Sequence, residues 1–108
     1  RITQWDILDF IINKNYKELE WPKDYWPEKF AKATQKDWDY TIETFEKDVK
    51  ALQNIVKNPK TDLFAKIPWG SGQNILREVL LVADHNAYHI GEFTSLRQVM
   101  GTWDKSHK

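Results

Sequence analysis

Two of the three histidines in this 108-residue chain stand four apart, at His85 and His89, and Glu92 follows three residues later. At about 100° per residue on a helix, His85 and His89 fall roughly 40° apart, and Glu92 projects close to His85. One helical face therefore carries two imidazoles and a carboxylate. Such a face can hold a divalent metal ion, because ring nitrogens one turn apart reach a common point. The same spacing suits two core histidines whose ring nitrogens are satisfied by hydrogen bonds, and spacing alone leaves both readings open. The chain has no cysteine, which excludes thiolate ligation, a disulfide framework and a protein-borne thiol nucleophile.

The element that must position this face is Gln73 to Met100. Ile75, Val82, Phe93, Leu96 and Met100 share the histidine side, and Leu76, Val79, Ala83 and Ile90 cover the side next to it. A helix apolar over more than half its circumference is expected to be central and largely buried, with Arg77, Asp84, Ser95 and Gln98 on its polar strip. Ser71 is the expected N-cap and Gly101 suits the C-terminal cap. The Gly70-Ser71-Gly72 turn has no lysine and no preceding strand pattern, so a phosphate loop is excluded.

Two earlier helices must support it. From Arg1 to about Asn13, Trp5, Leu8, Ile11 and Ile12 line one side, broadened by Ile7 and Phe10, with Asp6 and Asp9 on an acidic strip. No N-cap precedes them, which predicts that natural sequence lies upstream of Arg1. Tyr16 to Phe30 reads as an ordered loop, since the Trp21-Pro22 and Trp26-Pro27 steps push each residue before proline out of helical geometry. Trp21, Tyr25 and Trp26 there are either packing or a ligand wall. Thr34 with Asp37 resembles a capping box, after which Trp38, Ile42, Phe45, Val49, Leu52 and Val56 recur at helical spacing to Lys57, and Asn58-Pro59 stops the helix. Lys60 to Gly72 is a connection anchored by Leu63, Phe64 and Ile67; beyond Gly101, Trp103 is expected to fold back and His107 to face solvent.

Sixteen basic residues balance sixteen acidic ones without long runs, so no footprint for a nucleic-acid backbone is present. No apolar run approaches the roughly 20 residues of a membrane span, and no signal-peptide pattern opens the chain. Residues 1–108 are therefore expected to form a single soluble, cytoplasmic all-α domain. Its last helix offers more apolar surface than two others can cover, so a fourth helix or a second subunit, as in a homodimer, is expected.

Gln73-Asn74-Ile75-Leu76-Arg77-Glu78, then Ala83-Asp84-His85-Asn86-Ala87-Tyr88-His89-Ile90-Gly91, Leu96-Arg97 and Gly101-Thr102-Trp103 together resemble the last long helix of the DinB-like superfamily of metal-binding four-helix bundles. Gln4-Trp5-Asp6-Ile7-Leu8, Tyr25-Trp26-Pro27 and Thr61-Asp62-Leu63-Phe64 extend the resemblance over nearly the whole chain. It implies an up-down-down-up four-helix bundle of which about three helices are present, the chain being N-terminally truncated. It also implies a divalent ion held by three histidines, two of them His85 and His89, with the third just before Arg1. A carboxylate ligand from Glu92 or Asp6 is the alternative. Glu92 stands where relatives often carry glutamine, and Trp69 where they often carry histidine.

The activities implied are thiol-dependent S-transferase, isomerase or hydrolase-like reactions on a small electrophile. A low-molecular-weight thiol such as bacillithiol or mycothiol would be the co-substrate, with Glu92, Tyr88, Asp6 and Trp5 lining the pocket. Zinc, nickel and iron suit such ligands equally. The alternatives are a metal- or small-ligand-binding module without turnover, and an interaction protein whose histidines are only hydrogen-bonded.

Overall fold

A computed structural model describes every residue except Phe30, Lys105, His107 and Lys108, so the expectation for His107, and the last residue of the Tyr16 to Phe30 loop, lie outside the described residues. The described residues form three helices and no strand: α1 is Ile2–Ile12, α2 is Gln35–Lys57 and α3 is Ile75–Val99. Each follows from local chemistry. The Thr34 hydroxyl accepts the Asp37 amide at 3.2 Å, and the Asp37 carboxylate accepts the Thr34 amide at 2.8 Å, so the capping box closes in both directions. At the far end, Gly101 adopts φ +70°, and the Gly101 and Thr102 amides donate back to the Gln98 and Arg97 carbonyls, the hydrogen-bond pattern of a Schellman motif.

The N-terminus of α3 differs from expectation. Asn74, not Ser71, is the cap, its side-chain oxygen accepting the Arg77 amide at 2.8 Å. Ser71 is engaged elsewhere, since its amide donates to Gln73 Oε1 at 2.7 Å. The segment before the cap is fixed by backbone: the Ile67 amide donates to the Gln73 carbonyl and the Leu76 amide to the Leu63 carbonyl, at 2.8 and 2.9 Å. Leu63 and Ile67 therefore act as anchors, whereas Phe64 projects to solvent.

Helix α1 packs against both α2 and α3. Ile7, Leu8 and Ile11 from α1 meet Leu52 of α2, Val82 of α3 and Ile67 of the connection in one small core, edged by Phe10, Ala51, Ile55, Ile75 and Val79. Gln4 lies near Asn86, and Phe10 near Trp69 at the other end, so α1 runs antiparallel to α3. Towards the second half of α3, the core ends where α1 begins. Eleven residues of α1 span about 16 Å and the 25 of α3 about 37 Å, so the second half of α3 overhangs.

The expectation of a largely buried last helix therefore fails: Leu80 is already 59% exposed in its first half, and the exposure is greatest beyond Asn86. In α3 only Glu78 and Val82 are buried, while Tyr88, Ile90, Phe93, Leu96 and Val99, with Met100 beyond its end, are more than half exposed. Phe93, Leu96 and Met100 continue the stripe that contains Val82, so the apolar face is continuous and its cover is not. The same overhang shows in a radius of gyration of 16.5 Å, against about 13 Å for a compact chain of this length. No helix among the described residues is long and apolar enough to cross a membrane.

Candidate functional site

Helix α3 brings His85 and His89 together at the point where α1 begins. Their Nε2 atoms are 3.2 Å apart, and the rings meet edge to face with centroids at 4.5 Å. His89 Nδ1 lies 2.8 Å from Glu92 Oε1, one turn further on. A carboxylate can only accept, so Nδ1 carries the proton; in the neutral ring Nε2 then presents its lone pair to His85. Tyr88 stands edge-on to His89 at 5.3 Å between centroids. Burial, and next the neighbouring His89, hold the His85 imidazole below its ordinary pKa, which favours an uncharged ring with a donor lone pair.

Two nitrogens each about 2.0–2.1 Å from a tetrahedral ion lie about 3.3 Å apart, and the observed 3.2 Å matches that separation. Glu92 supplies the partner on the far nitrogen that metal-bound imidazoles generally have. The donor set thus fits two ligand positions of a divalent ion. Among the described residues, no group of three or more His, Asp or Glu side chains is placed to hold one. The distance is also compatible with an N–H donated from one ring to the other.

Beside His89 lies a shallow apolar cavity of about 830 Å³, lined by Trp26, Tyr88, His89, Glu92, Phe93 and Leu96; His85 does not border it. Trp26 reaches it from the loop that the two Trp-Pro steps keep non-helical. His89 and Glu92 are half exposed, so the site is open to solvent.

Asp6 and Trp5 are placed elsewhere. The Asp6 carboxylate accepts the Tyr16 hydroxyl at 3.1 Å and the Tyr25 hydroxyl at 2.7 Å. Burial and then Asp6 push both phenols up, Tyr25 to about 12, so both remain donors. This carboxylate ties the Tyr16 to Tyr25 loop onto α1, with no hydrogen bond to either imidazole. Trp5 borders a separate cavity with Arg1, Leu19, Tyr40 and Asp48. Trp69 donates its indole N–H to the Phe10 carbonyl at 2.7 Å, closing the connection onto the end of α1. Trp103 sits under the Arg97 guanidinium, 5.8 Å from ring centroid to carbon, at the end of α3.

The residue that orients the histidine segment was not singled out by sequence. Gln4, 1% exposed, donates through Nε2 to the Phe45 carbonyl at 3.0 Å and accepts the Asn86 Nδ2 donor at 2.7 Å. One amide thus joins α1 to α2 and to the residue following His85. A signal existed: Gln4 occupies the i, i+4, i+7 face with Leu8 and Ile11, where a polar residue must find buried partners. Comparison with protein-family models, curated proteins and solved structures found no match to this chain.

Proposed function

We propose that His85 and His89 hold a divalent metal ion and that the protein is a metal-dependent member of the DinB-like superfamily, built on its four-helix bundle plan. The observation that carries this reading is the 3.2 Å separation of two Nε2 atoms with Glu92 on the far nitrogen of His89. A bound ion there would supply Lewis acidity, lowering the pKa of a coordinated low-molecular-weight thiol so that it can attack a small electrophile. The chain's own residues do the rest. Glu92 fixes the tautomer and rotation of His89, Gln4 fixes the turn that carries His85, and Trp26, Phe93 and Leu96 offer an apolar wall for the electrophile's body.

The exposed apolar residues Phe93, Leu96, Val99 and Met100 on the second half of α3 are consistent with a homodimer as the assembly. The specific observation favouring a second reading, a metal- or ligand-binding bundle without turnover, is that the described residues bring only two imidazoles to the site.

Two measurements separate these. Calorimetric titration of the chain with Zn²⁺ and Ni²⁺, repeated on His85→Ala and His89→Ala, should give one site that either substitution removes. Conjugation of a thiol to a model electrophile, followed with and without a chelator, should then proceed only in the metal-loaded protein. Metal binding without conjugation would leave the non-catalytic module, and no metal binding would leave a hydrogen-bonded histidine pair.

A further inference from the structure

A cavity of about 510 Å³ lies where the start of α1, the Leu19 to Asp24 part of the loop and the middle of α2 meet, and it shares no lining residue with the one beside His89. Its size is within the 300–1,000 Å³ or so of small-molecule sites. One group in its wall is not accounted for by the fold. Asp48 is only 8% exposed, and its Oδ2 is buried with no hydrogen-bond partner among the described residues. A buried carboxylate oxygen normally has a donor, and leaving it without one is destabilising.

The groups around Asp48 do not supply that donor. Thr44, one turn earlier on α2, donates its hydroxyl to the Tyr40 carbonyl at 2.7 Å. The Arg1 guanidinium lies over the Tyr40 ring, 5.6 Å from its centroid. Arg1 and Lys47 act on Asp48 as charges, and burial outweighs them, so its pKa is raised. The other acid of the cavity, Asp24, is occupied in holding the loop, accepting the Glu20 amide at 2.8 Å. The terminal torsion of an aspartate is soft, so either oxygen of Asp48 can be turned to the cavity.

The lining also selects the charge of an occupant. Arg1 and Lys47 balance Asp24 and Asp48, so a molecule carrying both signs matches this wall better than a simple cation or a simple anion. Trp5, Leu19 and Tyr40 add apolar surface for an uncharged body.

We propose that this cavity binds a zwitterionic α-amino acid with an apolar side chain, its ammonium donating to Asp48, its carboxylate paired with Lys47 and Arg1, and its side chain against Trp5 and Leu19. Binding here does not depend on a metal at the histidine pair. Titration of the ¹⁵N-labelled protein with L-phenylalanine, followed at the Trp5 indole N–H resonance, tests it. N-acetyl-L-phenylalanine, which lacks the ammonium, and L-phenylalaninamide, which lacks the carboxylate, are the controls. The expected result is a saturable shift with L-phenylalanine, unchanged by a chelator, and at least tenfold weaker binding of either control. Asp48→Asn should weaken L-phenylalanine at least tenfold, and the exposed Lys47→Ala severalfold. Because Asp48→Asn removes an uncompensated buried charge, the fold is not at stake in that variant. No saturable response to L-phenylalanine, an equal response to either control, or undiminished affinity in Asp48→Asn would overturn the proposal.

Discussion

Replacing Gln4 with leucine removes a group that touches all three helices while nearly preserving its volume. Two hydrogen bonds are lost, and they are not equivalent. The Phe45 carbonyl sits inside α2 and keeps its own acceptor bond from the amide four residues on, so its loss is about 0.5–1 kcal/mol. Asn86 Nδ2 is half-buried against what becomes a methyl group, and an unsatisfied donor in that position costs about 1–2 kcal/mol. The expected destabilisation is therefore about 1.5–3 kcal/mol, a large share of the roughly 5–15 kcal/mol that a domain of this size possesses. Urea unfolding followed by circular dichroism measures it. Removing both polar groups, in Gln4→Leu with Asn86→Leu, leaves no orphan between α1 and α3, so the double variant should be more stable than the sum of the singles implies, by about 0.5–1.5 kcal/mol. A cost below about 0.5 kcal/mol for Gln4→Leu, or strict additivity, would refute the reasoning.

Asp48 is buried, its Oδ2 has no hydrogen-bond partner among the described residues, and burial raises its pKa against the opposing charges of Arg1 and Lys47. With the folded pKa above the unfolded one, the penalty is absent below the ordinary carboxylate value and grows as pH rises through the raised one. Asp48→Asn should therefore stabilise the protein by about 1 kcal/mol at pH 7 and by nothing at pH 3, measured by urea midpoints at both. Asp37 has the opposite sign: the backbone and then the side-chain hydrogen bonds of Thr34 lower its pKa, so its contribution is present above pH 4 and lost as pH falls through the lowered value. Far-UV ellipticity should show α2 fraying in acid; Asp37→Asn should flatten that pH dependence, and Thr34→Ala, which keeps the backbone donor, should only reduce it. A Cβ at Gly70 would lie 2.8 Å from Phe10 Cζ and 2.7 Å from Gln73 Oε1, so Gly70→Ala should cost about 1–3 kcal/mol by displacing the ring at the core's edge, read from the melting temperature.

How legible this was depended on whether a feature is local. Periodicity located three helices within a residue or two, Thr34 and Asp37 announced a cap that closes within four residues, and Asn58-Pro59 marked the end of α2. The histidine pair was readable because two rings one turn apart on a single helix cannot avoid each other. What failed was pairing across the fold. Ser71 looked like a cap because nothing in sequence revealed that Gln73 would engage it first. Asp6 looked available to the imidazoles, but the Tyr16 and Tyr25 hydroxyls arrive from a loop whose path depends on the whole core. The burial of α3 was overestimated because apolar pattern reports which face seeks cover, not whether a neighbour is long enough to give it.

Convergence of His85 and His89 on a shared ion is most directly read from the imidazole nitrogens themselves. Long-range ¹H–¹⁵N correlation spectra recorded during addition of one equivalent of Zn²⁺ should move both Nε2 resonances together while His89 Nδ1 keeps its proton on Glu92. Spectra in which neither Nε2 responds, or in which the ion displaces the Nδ1 proton, would contradict that arrangement and leave two hydrogen-bonded rings.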